Sequence, residues 1–419
     1  MLLKAGACTA ALIILHSTCV SSIDEAVRMR LQRAVDSVQK AEKIQGVTAA
    51  VILDRDLWQG AAGESYGGRP MTPEMVLGIG SNTKTCTAIT LLRLQEKGLI
   101  DLDTPIGKWF PQHPNISGAI TVRQLLNHTS GLGDYSLKPY RDSTLADLSR
   151  LWKPLELLSF IPEKQFDAGT SWNYCNTNYL LAGIIAQEVT GLSLYQLYRR
   201  ELFNPLGLDT VRLYPDEHIL GELAHRWMGG RDASNSPMNG EWSGAWAAGA
   251  LVATAAEMAQ FYEALFSGTV LNAASMTQLT AFVGVNNYGL GISQKLVTGV
   301  PVIGHTGEIR GYSSAIFRVP SLRANVVVLT NSIPSNPLAV AAAIMRVLRD
   351  ATTSVEEDTS HSIAISFPAR VYDIEGRYVR DVQALYEVQN LQSGAYMLAS
   401  RSGFIVLHVA QDHGVFISK

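Results

Sequence analysis

No run of about eighteen apolar residues occurs after residue 20, which excludes a polytopic helical membrane protein. An excess of one charge is missing too: 34 Lys and Arg stand against 37 Asp and Glu, a formal net charge of −3. Both signs are spread along the chain, so there is no basic domain or stripe to grip a nucleic-acid backbone. Glycine (35) and proline (16) are near their usual shares, which removes collagen-like and proline-rich architectures. The nine histidines form no H-E-x-x-H string and no clustered His/Cys spacing, so neither a metal nor another cofactor is expected. No repeat with a period of about 20–50 residues is present, and solenoids and propellers drop out.

What remains is a chain of 419 residues, 47% hydrophobic and 17% charged, with ample material for a sizeable core. At about 150 residues per domain, that length suggests two or three domains. Lys4, the apolar stretch Ala5–Leu15 and the small residues Val20-Ser21-Ser22 together read as a secretory signal over 1–22, with Ile23 as the mature start. The expected location is therefore secreted or periplasmic. Cys19 as a lipoprotein acceptor is the lesser alternative, because His16 stands where a leucine-like residue belongs. Of four cysteines, only Cys86 and Cys175 survive such cleavage. Export permits a disulfide between them, but two inert, buried thiols are the simpler expectation.

Val47–Asp54 and Leu57–Ala62 predict a hairpin. Helices are predicted over Thr83–Lys97 (stopped by Gly98), Asn178–Thr190 (stopped by Gly191) and Ala255–Phe266 (ending near Gly268). Ser314–Val319 and Asn325–Thr330 read as late strands, and Pro337–Arg349 as a closing helix. Strands from both ends of the chain around a helical middle indicate an α+β fold with an antiparallel sheet. This domain is expected over 23–350. The small polar residues of 351–362 have linker composition, and 363–419 reads as a small all-β module.

Three serines compete as nucleophile. Ser65 sits in a G-x-S-x-G string, but Gly67-Gly68-Arg69-Pro70 follow it where a nucleophile elbow needs a helix. A turn leaving the hairpin is the better reading. Ser37-x-x-Lys40 lies in a charged amphipathic stretch and reads as a solvated helical face. Ser81-x-x-Lys84 follows Gly78-Ile79-Gly80 and opens the strongest helix. Residues three apart share a helical face, so the Lys84 amine can lie beside the Ser81 hydroxyl, at the positive end of the helix dipole.

A serine hydroxyl needs a base. Tyr174 is a candidate, though half-ionising a phenol at neutral pH takes about 3 pKa units, or roughly 4 kcal/mol, of which a cation such as Lys84 supplies part. Gly304-His305-Thr306-Gly307, just before the late strands, adds a titratable ring, a hydroxyl and room for close backbone approach.

Together these residues resemble the penicillin-recognising serine hydrolases: class C β-lactamases, D-alanyl-D-alanine carboxypeptidases, D-aminopeptidases and β-lactamase-like esterases. The resemblance spans roughly 34–348 and rests on Ser81-x-x-Lys84, Tyr174-x-Asn176 and His305-Thr306-Gly307, in that order. Flanking phrases match as well, among them Leu125-Leu126-Asn127-His128-Thr129-Ser130-Gly131-Leu132 and Leu202-Phe203-Asn204-Pro205-Leu206-Gly207. It implies a β-lactamase/transpeptidase-like fold, a mixed α/β domain facing an all-α domain with the site between them. It implies that Ser81 is acylated, that Lys84 and Tyr174 handle protons, and that Asn176, His305, Thr306 and Gly307 bind substrate. The oxyanion hole would be the N–H groups of Ser81 and Glu308.

His305 stands where classical lactamases carry lysine, so a carboxylate-anchored substrate is expected to favour low pH. Glu308 at the cleft rim is expected to repel anionic β-lactams unless Arg310 pairs with it. No separate deacylating glutamate of the class A kind is visible. The expected activity is hydrolysis of D-alanine-terminated peptides or small esters through an acyl-enzyme, with β-lactams as inhibitors or slow substrates. The partner would be a small molecule or peptide, such as a cell-wall peptide. A class C-like β-lactamase proper and a non-turnover penicillin-binding sensor are the alternatives.

Overall fold

The runs Gly46–Leu53 and Ala324–Thr330 are buried along their whole length. Continuous apolar runs of this kind belong to strands covered on both faces. The computed structural model shows them at the centre of a seven-stranded sheet, and it describes residues 23–358 and the strands at 369–373, 378–382, 394–400, 403–409 and 415–418. The expected signal at 1–22 lies outside the described residues, as do 359–362. In chain order the strands are β1 (Gly46–Leu53), β2 (Asp56–Tyr66), β3 (Arg69–Pro70), β4 (Ser293–Val297), β5 (Val300–Ile309), β6 (Tyr312–Val319) and β7 (Ala324–Thr330). They lie side by side as β3-β2-β1-β7-β6-β5-β4. β1 and β7, from opposite ends of the domain, pair antiparallel from Val47 opposite Thr330 to Leu53 opposite Ala324.

Six longer helices matter here: α1 (Glu25–Ala41), α2 (Thr83–Glu96), α3 (Asn176–Thr190), α4 (Asn239–Gly249), α5 (Ala255–Phe266) and α6 (Pro337–Asp358). Successive residues of β1 turn to opposite faces. Ala49, Val51 and Leu53 pack with Val27, Leu31 and Val35 of α1 and with Val340, Ile344 and Leu348 of α6. Ala50 and Ile52 join the larger core with Ile89 and Leu92 of α2, Ile184 of α3 and Phe261 of α5. Each fully buried Val, Leu, Ile or Phe among them contributes about 1.5–3 kcal/mol, so the sheet is clamped from both sides. The hairpin, the late strands and the predicted helices all appear, with Gly98 and Gly191 left-handed just past their helices.

The closing helix corrects one expectation. It does not end at Arg349 but runs to Asp358, through most of the stretch expected to be linker. From 338 to 367 the sequence holds neither glycine nor proline, and extending an existing helix costs far less than starting one. Residues 22–351 form one compact unit. The second unit contains a five-stranded antiparallel sheet in the order Tyr378–Val382, Ala369–Asp373, Gly394–Ser400, Gly403–Val409, Val415–Ser418, in line with an all-β module. Among the described residues no single helix is long and apolar enough to cross a membrane.

Candidate active site

Ser81 occupies a short 3-10 turn, Gly80–Asn82, that feeds directly into α2. The turn is pressed against β5. Gly80 has φ +53, and a Cβ there would meet the Glu308 nitrogen at 2.4 Å; one on Gly307 would lie 2.9 Å from the Ser81 nitrogen. Only glycine permits this approach, which brings together the two backbone segments expected to form an oxyanion hole. Asn82 ties the turn to β6 through Ser314, its Nδ2 donating to Oγ at 2.8 Å, while Ser314 Oγ donates to Ile79 O at 2.7 Å.

α2 is buried on nearly every side although it is rich in threonine. Its hydroxyls bond carbonyl groups: Thr83 to Gly80 at 2.7 Å, Thr85 to Gly291 at 2.6 Å, Thr87 to Ala247 at 2.7 Å and Thr90 to Cys86 at 2.9 Å. Satisfied in this way, polar side chains bear burial at little cost. Lys84 shares that environment. Its Nζ, fully buried, donates to Ser81 Oγ at 3.1 Å, to Asn176 Oδ1 at 2.8 Å and to Ala248 O at 2.8 Å. The last acceptor is available because Ala248 lies in the final turn of α4, where carbonyls have no intrahelical partner; two residues earlier the helix is distorted at Trp246 (φ 35, ψ −117). The Ala247 and Ala248 carbonyls that follow accept from Thr87 and Lys84 of α2, and the strain at Trp246 persists only where surrounding contacts hold it.

Burial drives the Lys84 pKa down to about 7, while the nearby Asp134 carboxylate opposes the fall. Half of the amine is then free base near neutrality. Tyr174 behaves in the opposite sense from the phenolate that a tyrosine base requires. Burial raises its pKa well above the ordinary phenol value, against a smaller lowering from Ser81. Its hydroxyl is buried with no close hydrogen-bond partner, and Lys84 Nζ sits over the ring, 4.8 Å from the centroid. The environment therefore suits Lys84 to accept a proton and Tyr174 to donate one.

Asn176, the first residue of α3, bridges Lys84 to a group the sequence reading missed. Its backbone N and Nδ2 both donate to Asp134 Oδ2 at 3.2 Å, and Nδ2 also donates to Ser136 Oγ at 3.0 Å. Asp134 lies in no recognisable string, and only its place in the fold reveals it. His305 is buried on β5. A carbonyl can only accept, so the ring donates from Nδ1 to Thr306 O, and Nε2 accepts from Tyr288 at 2.9 Å. Burial, reinforced by the charge on Lys84, holds its pKa down to about 3. The cationic carboxylate anchor expected of His305 at low pH has no support in this environment. His128, left-handed (φ 63) and buried, stacks on Tyr174 with centroids 4.4 Å apart and braces that ring.

The rival serines are elsewhere. Ser65 is buried, its Oγ accepting from His225 N at 2.9 Å, and a turn rather than a helix follows it. Ser37 is exposed on α1. Cys86 and Cys175 are free and buried, as expected, and burial raises both thiol pKa values, Cys175 to about 12. Arg310 does form an ion pair, but with Glu241 (2.8 Å) rather than with Glu308.

Ser81 lines two cavities. One, of about 460 Å³, is bordered by Tyr135, Asn176, Glu241 and Glu308. The other, of about 700 Å³, is bordered by Tyr174, His305, Thr306 and Lys295. β4 pairs with β5 only as far as Ser293 opposite Gly304, so among the described residues no strand lies beside the outer edge of β5 from His305 to Ile309.

The Beta-lactamase family model matches residues 31–350. A D-aminopeptidase of Cereibacter sphaeroides is 27% identical over 338 residues, covering 76% of this chain but only 63% of its own length. Among solved structures, a D-stereospecific amidohydrolase from Streptomyces is 31% identical with a TM-score of 0.67, covering 75% of this chain and 98% of that one. A D-amino acid amidase from Ochrobactrum anthropi is 26% identical with a TM-score of 0.69, covering 79% of this chain and 99% of that one.

Proposed function

Because the chain belongs to the Beta-lactamase family, we propose that it is a serine hydrolase acting through an acyl-enzyme on Ser81. The substrates are amides, peptides or small esters of D-configured amino acids, with β-lactams as slow substrates or inhibitors. One observation carries the reading: a fully buried amine with a pKa of about 7, 3.1 Å from the hydroxyl that opens α2. In its neutral form Lys84 takes the Ser81 proton as Oγ attacks the substrate carbonyl. The negative charge moves to the carbonyl oxygen, held by the N–H groups of Ser81 and Glu308; removing one such donor costs about 2.7–4 kcal/mol of barrier. Collapse breaks the C–N or C–O bond, and the leaving group takes a proton from Tyr174, which Lys84 replenishes. Water then repeats the sequence on the acyl-enzyme, releasing acid and free Ser81. Asn176 orients Lys84, and Thr306 and Gly307 offer a free strand edge along which the substrate backbone lies.

The test is a panel of a D-alanyl-D-alanine peptide, a D-amino acid amide, a p-nitrophenyl ester and a chromogenic cephalosporin, with mass spectrometry of the peptide labelled by a fluorescent acylating probe. Turnover with label on Ser81 supports the reading. Label on Ser65, or turnover undiminished in Ser81→Ala, overturns it, and stoichiometric labelling with no turnover of any substrate leaves a sensor instead.

For location, we propose export with cleavage before Ile23. That residue is buried, and its N–H donates to Asp56 Oδ2 at 2.7 Å, so cleavage would set the new ammonium on a carboxylate. Amino-terminal sequencing of protein recovered outside the cytoplasm should read Ile-Asp-Glu; an intact Met1 there would refute this.

A further inference from the structure

Arg226 takes no part in the chemistry above, yet it is only 2% exposed. Its Nη2 donates to Ala233 O at 2.7 Å and to Ser236 O, while Nη1 has no hydrogen-bond partner among the described residues. Burial works against its charge, and the two carboxylates whose fields reach it are committed elsewhere. Glu241 pairs with Arg310 at 2.8 Å, and Asp232 holds the His225 ring at 2.7 Å. The stem lies against the tip of the β5–β6 hairpin: Gly311 has φ +84, and a Cβ there would stand 2.5 Å from Arg226 Cβ. A buried cation left short of an acceptor and of a counter-ion is costly, and a bound anion would relieve that cost.

Arg226 lines a cavity of about 460 Å³ that shares no lining residue with the two bordered by Ser81. Asn239 borders this cavity, whereas Glu241, two residues on in the first turn of α4, borders the catalytic cleft. Tyr312 borders it as well, whereas Ile309, its partner across the hairpin, borders the cleft. The first turn of α4 and the hairpin tip thus have one cavity on each side. No side chain caps α4 here, so the positive end of its dipole adds to the charge of Arg226. The volume falls within the roughly 300–1,000 Å³ of small-molecule sites and exceeds what a simple ion needs. Much of the remaining wall is apolar, from Leu223, Met238 and the rings of Tyr214 and Tyr312. Both phenols have spent their protons, Tyr214 on Asn239 Oδ1 at 2.7 Å and Tyr312 on Ala224 O at 2.6 Å. No carboxylate is among the lining residues, so an ammonium would find no counter-ion there.

We propose that this cavity is a second binding site, outside the catalytic cleft, for an organic monocarboxylate with an apolar body. The carboxylate turns to Arg226 and the first turn of α4, and the body lies among Tyr214, Leu223 and Tyr312. The site does not depend on the reaction at Ser81.

Titration calorimetry on the full chain tests this with 3-phenylpropanoate, its neutral amide, D-phenylalanine and inorganic phosphate. The acid should bind about tenfold or more tighter than its amide, the size of one hydrogen-bonded charge contact. D-Phenylalanine keeps the body and the carboxylate but adds an ammonium, and should bind several-fold more weakly than the acid. Phosphate should bind more weakly still. Leu223→Trp and Met238→Trp each fill the cavity with Arg226 left in place, and whichever circular dichroism shows to be folded should lose binding. Arg226→Met should bring acid and amide to the same affinity; it also strips Ala233 and Ser236 of a donor, so if it does not fold the filling variants decide. Equal affinity for acid and amide, phosphate bound as tightly as the acid, or binding that survives a folded filling variant overturns the site. D-Phenylalanine bound as tightly as the acid would overturn the exclusion of an ammonium and make an amino acid, such as hydrolysis releases, the occupant.

Discussion

The Ser-x-x-Lys pattern occurs twice, once in α1 and once where the 3-10 turn enters α2, and the two copies have opposite fates. Ser37 and Lys40 share one face of α1, both exposed. In water, with no buried base beside it, a serine hydroxyl stays inert. Ser81 and Lys84 have the same separation, but Lys84 is sealed between α2, α3 and the broken helix α4. Spacing delivers adjacency in both places. Burial drives the amine's pKa down to about 7 in only one, against the pull of acceptors that hold its nitrogen in place.

The largest effect expected from breaking this contrast is at Ser81. Ser81→Ala should abolish covalent labelling and reduce kcat/KM by at least about a thousandfold, measured by steady-state kinetics and by mass spectrometry of the probe adduct. Ser37→Ala should leave both unchanged.

Next is Lys84→Met. Acylation should slow by about 10²–10⁴-fold, the usual contribution of a positioned base. Asn176 Oδ1 and Ala248 O would lose a donor, at about 1–3 kcal/mol for each acceptor left unsatisfied. Circular dichroism separates the two effects: a folded but slow variant supports the base, whereas collapse of the fold makes Lys84 chiefly structural.

The pH dependence sharpens the contrast further. The acylation rate should rise as pH passes through about 7, where Lys84 loses its proton. Stability follows from the same shift. A folded-state pKa below the unfolded 10.5 means that the unfolded chain binds more protons between about pH 7 and 10.5, so stability from this group rises with pH across that window. Denaturant melts at several pH values should show the rise, and Lys84→Met should flatten it.

A smaller effect belongs to Asp134→Asn. It keeps an acceptor for Asn176 but removes the charge that raises the Lys84 pKa, so the rising limb of the rate profile should move to lower pH by up to about one unit. An unmoved limb would show that Asp134 acts only through geometry. The smallest effect is at Lys40→Ala, expected within about 0.5 kcal/mol of the unaltered stability.

Some of the site was legible in residue order. Ser81, Lys84, Tyr174 and Asn176 could be picked out because their strings sit at the entries of helices whose periodicity is plain, whereas His305 lies in the middle of β5, a strand the periodicity did not reveal, and stood out only by its Gly-His-Thr-Gly string. Their charge states were not legible. The phenol of Tyr174 was expected to be drawn toward ionisation by Lys84, yet burial raises its pKa and only a smaller effect of Ser81 opposes the rise. His305 was expected to charge at low pH, yet burial and the charge on Lys84 hold its pKa down to about 3. Asp134 and Arg226 were missed because neither belongs to a string; each acquires meaning only from what chain segments far away place beside it.

From sequence alone came the first hairpin, the late strands β6 and β7, the helices α2, α3 and α5, the glycines that end α2 and α3, and the turn rather than helix after Ser65. These are local matters, settled by periodicity, turn residues and the three-residue repeat of a helical face. The protonation state of Lys84, the approach of the Ala248 carbonyl to its amine, and the neutrality of His305 were decided by tertiary structure. Desolvation is a property of everything packed around a group, and no segment carries that information by itself.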